Sequence, residues 1–306
     1  MADPRLGDRS LFPNLDAEAY LAHAAISPLS APVCSRISEV LADYSRGGMT
    51  GFVRWAPRLN RVRETMAALI SAQPDEVAFV ANTTQGVIDI AFGIPWREGD
   101  RVVLFDGEFP ANVTPWQRAA DTFGLELVWA SLEPFHRSVE EGIAELQRAL
   151  GTGARMVAVS AVQYKTGLRM PLAEIASLAH ERGAEVFVDA IQALGATPVD
   201  VSVGIDYLSA GSHKHLMGPE GAGFLYVAKR CAEAVESGRL HREWYELPEE
   251  TVSRIDHTRA AGGRIVAVGT TTTRVLEACA DSQGRLTAGS GETRLFIRPP
   301  YRPRVV

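Results

Sequence analysis

Cysteine and lysine are both scarce in this 306-residue chain, with three of each. Cys34, Cys231 and Cys279 are odd in number, far apart and in no ligand-like spacing. That argues against a disulfide framework or a zinc site and reads as the reduced thiols of a cytoplasmic protein. No apolar run approaches the ~20 residues a membrane-spanning helix needs, so no membrane partner is expected. The opening MADPRLGDRS has no apolar core behind its charges, which argues against a secretory leader. A net charge of −6 gives no general attraction to nucleic acid. Internal repeats and low-complexity segments are also absent.

What is present is a chain 46% hydrophobic and 22% charged, enough for one large α/β domain and part of another. From residue 58 to 228 the pattern alternates. RLNRVRETMAALISA (58–72) has helical apolar spacing, EVAFVAN (76–82) reads as a buried strand, and a short helix follows from Gly86. Strand RVVLFDG, helix NVTPWQRAADTF, strand LELVWAS, helix VEEGIAELQRAL, strand RMVAVSAV and helix LAEIASLAHERG come next, then strands EVFVDA, DYLSAG and GFLYVA. Short apolar runs between helices predict an α/β fold, a largely parallel sheet with helices on both faces. Such sheets take their ligands at the strand-end turns. After Lys229 the pattern changes. ETVSRIDHTRAAG is expected to be helical and GRIVAVGT a strand, and the rest is turn-rich with one strand, RLFIR. The expected domains are 1–231 and a truncated, β-rich segment at 232–306.

All three lysines precede residue 231, and the tail uses only arginine. Lys229, beside Arg230, reads as a solvated surface charge. Lys165, in QYKTG, suits either a surface or a site. Lys214 differs, because it follows an apolar strand within AGSHKHLMGPEGAG, among two histidines and small residues. The glycines there permit a close backbone approach to a ligand. An amine that attacks a carbonyl must be partly desolvated, so that it is neutral and nucleophilic. Twenty-five residues upstream, EVFVDAIQALGA ends an apolar strand on Asp189. A carboxylate there needs a cationic partner, such as the protonated pyridine nitrogen of pyridoxal phosphate, or else serves as a helix cap. Gln192 reaches the cofactor's ring hydroxyl or is a polar helix residue. ANTTQG (81–86), between strand and helix, offers backbone donors and hydroxyls to a phosphate, though the same residues also cap helices that bind nothing.

VDAIQALGA followed by SHKHLMGPEGAGFLYV resembles the class V aminotransferase family, which includes cysteine desulfurases and isopenicillin N epimerase-like proteins. YLAHAAISPLS, NTTQG, GEFPANVTPW and VSAVQYKTGLRMPLAEIASLAH match in the same order, so the resemblance covers about residues 10–231. It implies the type I fold of pyridoxal-phosphate enzymes, a homodimer, and an amino-acid substrate handled through a lysine aldimine by a transaminase, lyase or epimerase. Residue by residue, it implies Lys214 as the Schiff-base lysine and the base at Cα, and Asp189 as the partner of the pyridine nitrogen. Gln163 and Gln192 match positions near the ring hydroxyl, Thr83, Thr84 and His213 match phosphate contacts, and Phe109 matches the ring that stacks on the cofactor. Desulfurases carry histidine at the Phe109 position, which argues against their chemistry. Where the family often has serine, three residues before the lysine, this chain has Gly211 with Ser212 beside it.

From about residue 233 the chain instead resembles an internal piece of the S-adenosylmethionine:tRNA ribosyltransferase-isomerase of queuosine biosynthesis. HREWYELPEET, GGRIVAVGTTTTR and GETRLFIRPPYRPRVV carry that likeness. The expected picture is a chimera joined near residues 230–240, with both halves incomplete. The aminotransferase half would lack the small domain that binds the substrate carboxylate. GTTTT (269–273) and Cys279 are not assigned to aminotransferase or desulfurase chemistry. The alternatives are an incomplete tRNA-modifying enzyme, for which the dense basic patch of an RNA binder is missing, or a cofactor binder without turnover.

Overall fold

The computed structural model describes residues 9–151, 153–236, 243–267, 270–293, 295 and 303–305. The chain divides into two compact units, 1–237 and 238–306. Among the described residues, no helix is long and apolar enough to cross a membrane.

In the first unit α1 (Ala31–Gly47) and α2 (Met49–Leu69) are followed by β1 (Val77–Val80), α3 (Thr83–Gly93) and β2 (Arg101–Phe105). Next come α4 (Thr114–Phe123), β3 (Glu126–Ala130), α5 (Glu133–Arg137), α6 (Val139–Leu150) and β4 (Met156–Ser160). The unit ends with α7 (Leu172–Glu181), β5 (Glu185–Asp189), β6 (Tyr207–Gly211), β7 (Gly223–Val227) and α8 (Lys229–Glu236). Helix starts carry the expected signals. Ser138 caps α6 by accepting from the Glu141 N–H, with Glu140 and Glu141 in the first turn and Arg148 in the last. Gly124, in the left-handed region, closes α4.

The seven strands form one sheet in the order β1-β7-β6-β5-β4-β2-β3. Only the two pairings of β7, to β1 and to β6, are antiparallel. β4 and β6 are buried at every residue, so the centre of the sheet is covered on each face. Trp116, Phe105, Phe187 and Tyr207 are the largest fully buried side chains. The mostly parallel α/β expectation is met. EVAFVAN, expected as a buried strand, is instead an edge strand. β1 pairs only with β7, and Phe79 on it is exposed beneath the Arg63 guanidinium, 5.0 Å from its ring centroid. Its helix starts at Thr83, earlier than expected, because Asn82 is the cap.

The second unit pairs β8 (Glu243–Leu247) antiparallel with β9 (Gly289–Thr293), with α9 (Glu249–Ala260) and α10 (Thr270–Ala278) between them. Leu247, Ile255, Leu276, Leu286 and Val305 form its own small core. Within it the buried Glu277 carboxylate accepts the backbone N–H groups of Arg304 and Val305. GRIVAVGT was expected to be a strand. Residues 263–267 are irregular and α10 starts at Thr270, while Val268 and Gly269 of that run lie outside the described residues. Ile265 and Ala267 still pack on the core, so their alternation is satisfied without a ladder. The expected strand RLFIR lies outside the described residues apart from Leu295, as do residues 237–242 of the expected junction.

Candidate active site

Strands β2, β4, β5 and β6 run parallel, so their C-terminal ends open on one side of the sheet. Those ends carry Glu108 and Phe109, Ser160 and Gln163, Asp189 and Gln192, and Ser212 to Lys214 in turn. The start of α3, after β1, joins them through hydrogen bonds.

Asp189 ends β5 and is 3% exposed. Its carboxylate receives one hydrogen bond, from the Ile191 N–H to Oδ1 at 3.0 Å, and Oδ2 has no hydrogen-bond partner among the described residues. Burial pushes this carboxyl up to about 7; the Ile191 N–H and the Lys214 amine pull it down, and the charge of Glu108 pushes it further up. Lys214 is half-buried and forms no ion pair among the described residues. Its Nζ sits 5.5 Å from the centroid of the Phe109 ring. Desolvation lowers its pKa against the pull of Asp189. The result is an amine shifted toward its neutral form, opposite a carboxylate shifted toward its acid form.

The loop holding Lys214 is tightly folded. The Ser212 N–H donates to Ala222 O, the Ser212 hydroxyl to Pro219 O at 2.6 Å, and the Met217 N–H to Lys214 O. A side chain at Gly218 would lie 2.6 Å from Ser212 Cβ, so the close return requires glycine there. His213 follows, its pKa lowered by burial, and its carbonyl accepts the Ser27 N–H at 2.8 Å. Next to the lysine, the His215 ring lies 6.4 Å from that of His23.

α3 is stitched to β6. Thr83 Oγ1 accepts the Gly211 N–H at 2.8 Å, Thr83 O accepts the Ser209 hydroxyl, and Asn82 accepts the Gln85 N–H. Thr84 is half-exposed at the same helix start. Thr83 and Thr84 thus adjoin the lysine loop. Gln192 is turned to the N-terminal segment, its Nε2 donating to Ala24 O at 3.0 Å. Phe109, 42% exposed, meets Tyr164 edge-on with ring centroids 5.2 Å apart. Gln163 is 2% exposed and donates from Nε2 to Glu108, while its Oε1 is buried without a partner among the described residues. Asn112 Nδ2 is a second buried atom without a partner.

Sequence reading missed Glu108. It is 6% exposed and accepts the Ser160 N–H at 2.6 Å, the Ser160 hydroxyl, and Gln163 Nε2 at 2.9 Å. The available signal was weak: Glu108 stands three residues after the apolar strand RVVLF, behind Asp106 and Gly107. Lys229 is exposed and paired with Asp75, and Lys165 is exposed beside a cavity of about 390 Å³ shared with His136 and Gln163. The structure therefore brings together Lys214, Asp189, Phe109, Gln163 and the start of α3, and leaves Lys229 outside. A buried carboxylate with a single hydrogen bond, electrostatically coupled to a half-buried amine that forms no ion pair among the described residues, fits a group that has a cationic ring nitrogen and an amine-reactive aldehyde. Pyridoxal phosphate is such a group.

The sequence profile of the family described as Aminotransferase class-V matches residues 19–289. That match runs past the expected junction, whereas the boundary between the two units falls after residue 237. A probable cysteine desulfurase of Methanothermobacter thermautotrophicus is 31% identical over 224 residues, which is 71% of this chain and 54% of that protein. An uncharacterized aminotransferase of Bacillus subtilis is 31% identical over 232 residues, 74% of this chain and 60% of that protein. Among solved structures, a C-DES mutant with glycine covalently linked to its pyridoxal-phosphate cofactor superposes with a TM-score of 0.69 at 25% identity, over 74% of this chain and 61% of that one. The chain thus spans 54–61% of the length of these three proteins.

Proposed function

The chain belongs to the aminotransferase class-V family, and we propose that it is a pyridoxal-phosphate-dependent enzyme acting on an amino acid. The observation that carries this is the pair of Lys214 and Asp189, on neighbouring strand ends, with their charges shifted toward neutrality. When bound, the cofactor supplies an electron-accepting ring that stabilises negative charge at the substrate's Cα. Lys214 would hold the cofactor through Nζ, and its neutral amine would be the base for the substrate's Cα proton. Asp189 would hold a proton on the ring nitrogen, and Phe109 would supply the ring stacked on the cofactor. Gln163 would flank the ring hydroxyl, Gln192 could reach it only through its amide oxygen because its Nε2 is held by Ala24 O, and Thr83, Thr84, Ser212 and His213 would receive the phosphate at the start of α3 and the lysine loop.

The reaction subtype is a transamination, an elimination or an epimerisation. Phe109 has no titratable nitrogen to serve a desulfurase. Cys279 is no nucleophile for one either, since burial raises its thiol pKa. For the second unit we propose a separate descent, shared with the tRNA ribosyltransferase-isomerase segment it resembles. The runs HREWYELPEET, GGRIVAVGTTTTR and GETRLFIRPPYRPRVV support this reading, while the family profile reaches residue 289. RNA modification is not the activity we assign, and we place the reaction in the cytoplasm, in keeping with three free thiols. We also propose a homodimer. No residue of α1 is buried, and Leu41, Met49, Val53, Leu59 and Val62 on α1 and α2 are exposed, as on a helical pair awaiting a second copy.

The test is spectroscopic. Protein loaded with pyridoxal phosphate should show a yellow, borohydride-reducible chromophore that Lys214→Ala abolishes and Lys229→Ala preserves. A full chromophore in Lys214→Ala would sink the assignment.

A further inference from the structure

Glu108 lies on the turn after β2, yet all its hydrogen bonds go to the end of β4, 52 to 55 residues away in sequence. A carboxylate this deeply buried is costly unless each oxygen is engaged. Oε1 takes the Ser160 N–H and Gln163 Nε2, and Oε2 takes the Ser160 hydroxyl. Three consequences follow. First, the turn carrying Phe109, the next residue, is clamped to β4, so the ring over Lys214 has a fixed base. Second, an acceptor-only carboxylate can face only the NH2 end of the Gln163 amide, so the carbonyl oxygen is turned to the other side. Third, Ser160 pairs in register with Asp189, which puts a second negative charge one strand away from the first.

We propose that Glu108 is a positioning residue of this site: its carboxylate clamps the Phe109 turn to β4, sets which end of the Gln163 amide is free, and places a second buried negative charge beside Asp189. The proposal deepens the cofactor reading above and rests on it for the purpose of the clamp, though the clamp itself can be tested without cofactor. The groups acting on Asp189 are its own turn's Ile191 N–H, Lys214 from the loop after β6, and Glu108 from the turn after β2. Of these Glu108 alone raises the Asp189 pKa, so removing its charge must lower it.

The experiment follows the Asp189 carboxyl carbon by NMR titration in the full, cofactor-free chain, with Asp189→Asn identifying the signal. Glu108→Gln preserves shape and removes charge. It should lower the Asp189 midpoint by about one unit, the scale of one partly screened charge at short range. Glu108→Asp keeps the charge and should restore the wild-type midpoint. A purely structural role would disturb both variants alike, so equal midpoints in the two, or no movement in Glu108→Gln, overturns the proposal. In the unaltered protein, the Gln163 side-chain NH2 protons should be protected from solvent exchange, and free exchange overturns the clamp whether or not the variants fold. Absence of a Lys214 chromophore in loaded wild-type protein would instead refute the cofactor reading and leave the Asp189 midpoints to decide the clamp on their own.

Discussion

Fully enclosed at the end of β5, Asp189 has a single backbone N–H to hold its charge, and burial pushes its carboxyl up to about 7. The unfolded chain would release that proton near 3.8. Between those values the folded state binds more protons than the unfolded one, so the cofactor-free protein loses stability as pH rises from about 4 to 7. The loss is about 4 kcal/mol if carried by this group alone. Asp189→Asn should therefore be nearly neutral at pH 4 and stabilise the cofactor-free protein at pH 8, by on the order of 2–4 kcal/mol in urea unfolding. Loading with cofactor should reverse the order at pH 8, because a ring cation compensates the carboxylate and not the amide. A variant no more stable than wild type at pH 8 would rule out the shift. Lys214 and Asp189 were legible in the sequence because each breaks a strong local pattern, a lysine in a glycine-rich turn and a carboxylate ending an apolar strand. Glu108 was not. Its partners lie more than fifty residues away, and no local pattern records them.

Among the elements, α3 depends on one contact more than on its own sequence. A Cβ at Gly86 would lie 2.2 Å from Ser209 Oγ and 2.7 Å from its Cβ, on a strand buried throughout. Gly86→Ala should push α3 off β6, costing about 1–3 kcal/mol as overpacking does. It should also loosen the Thr83–Gly211 bond that sets the helix start against the lysine loop. The expected readings are a lower urea midpoint and weaker cofactor retention on dilution, and unchanged values of both would contradict the close packing. The parallel sheet was readable here because its central strands are continuous apolar runs between helices of helical period. β1 was misread because an edge strand keeps the composition of a buried one while facing solvent. GRIVAVGT was misread because Ile265 and Ala267 bury themselves without a ladder partner, and a run of threonines then becomes the helix α10. Its Leu276 and Glu277 are buried, so tertiary packing outweighs the modest helix propensity of threonine.

At the scale of the whole molecule, every residue assigned to the site lies within residues 1–237, and the large hydrophobic core runs from Ala67 to Cys231 with no member from the second unit. α8 closes that unit internally. The buried Asp206 carboxylate receives the Val186 N–H at 2.8 Å, the Arg230 guanidinium at 2.9 Å and the Cys231 thiol, with His180 Nε2 at 2.8 Å. These bonds tie α8 to β5, β6 and α7 before the boundary is reached. The change of pattern after Lys229 and the helix α9 were visible in the sequence, whereas the rest of the fold that follows was not, because short turn-rich segments carry little periodicity. A chain ending at residue 237 should accordingly fold and take up pyridoxal phosphate with a dissociation constant within about threefold of the full chain, a difference of ~0.6 kcal/mol. Amino-acid turnover is a separate demand. Orienting a substrate carboxylate can be worth about 7–11 kcal/mol of barrier in well-aligned cases, and none of the first unit's assigned residues is an arginine placed to do it. Equilibrium loading, followed by the yellow absorbance of the two proteins side by side, decides the matter. A truncated chain that is insoluble, or folded yet unable to take up cofactor, would overturn the independence of residues 1–237.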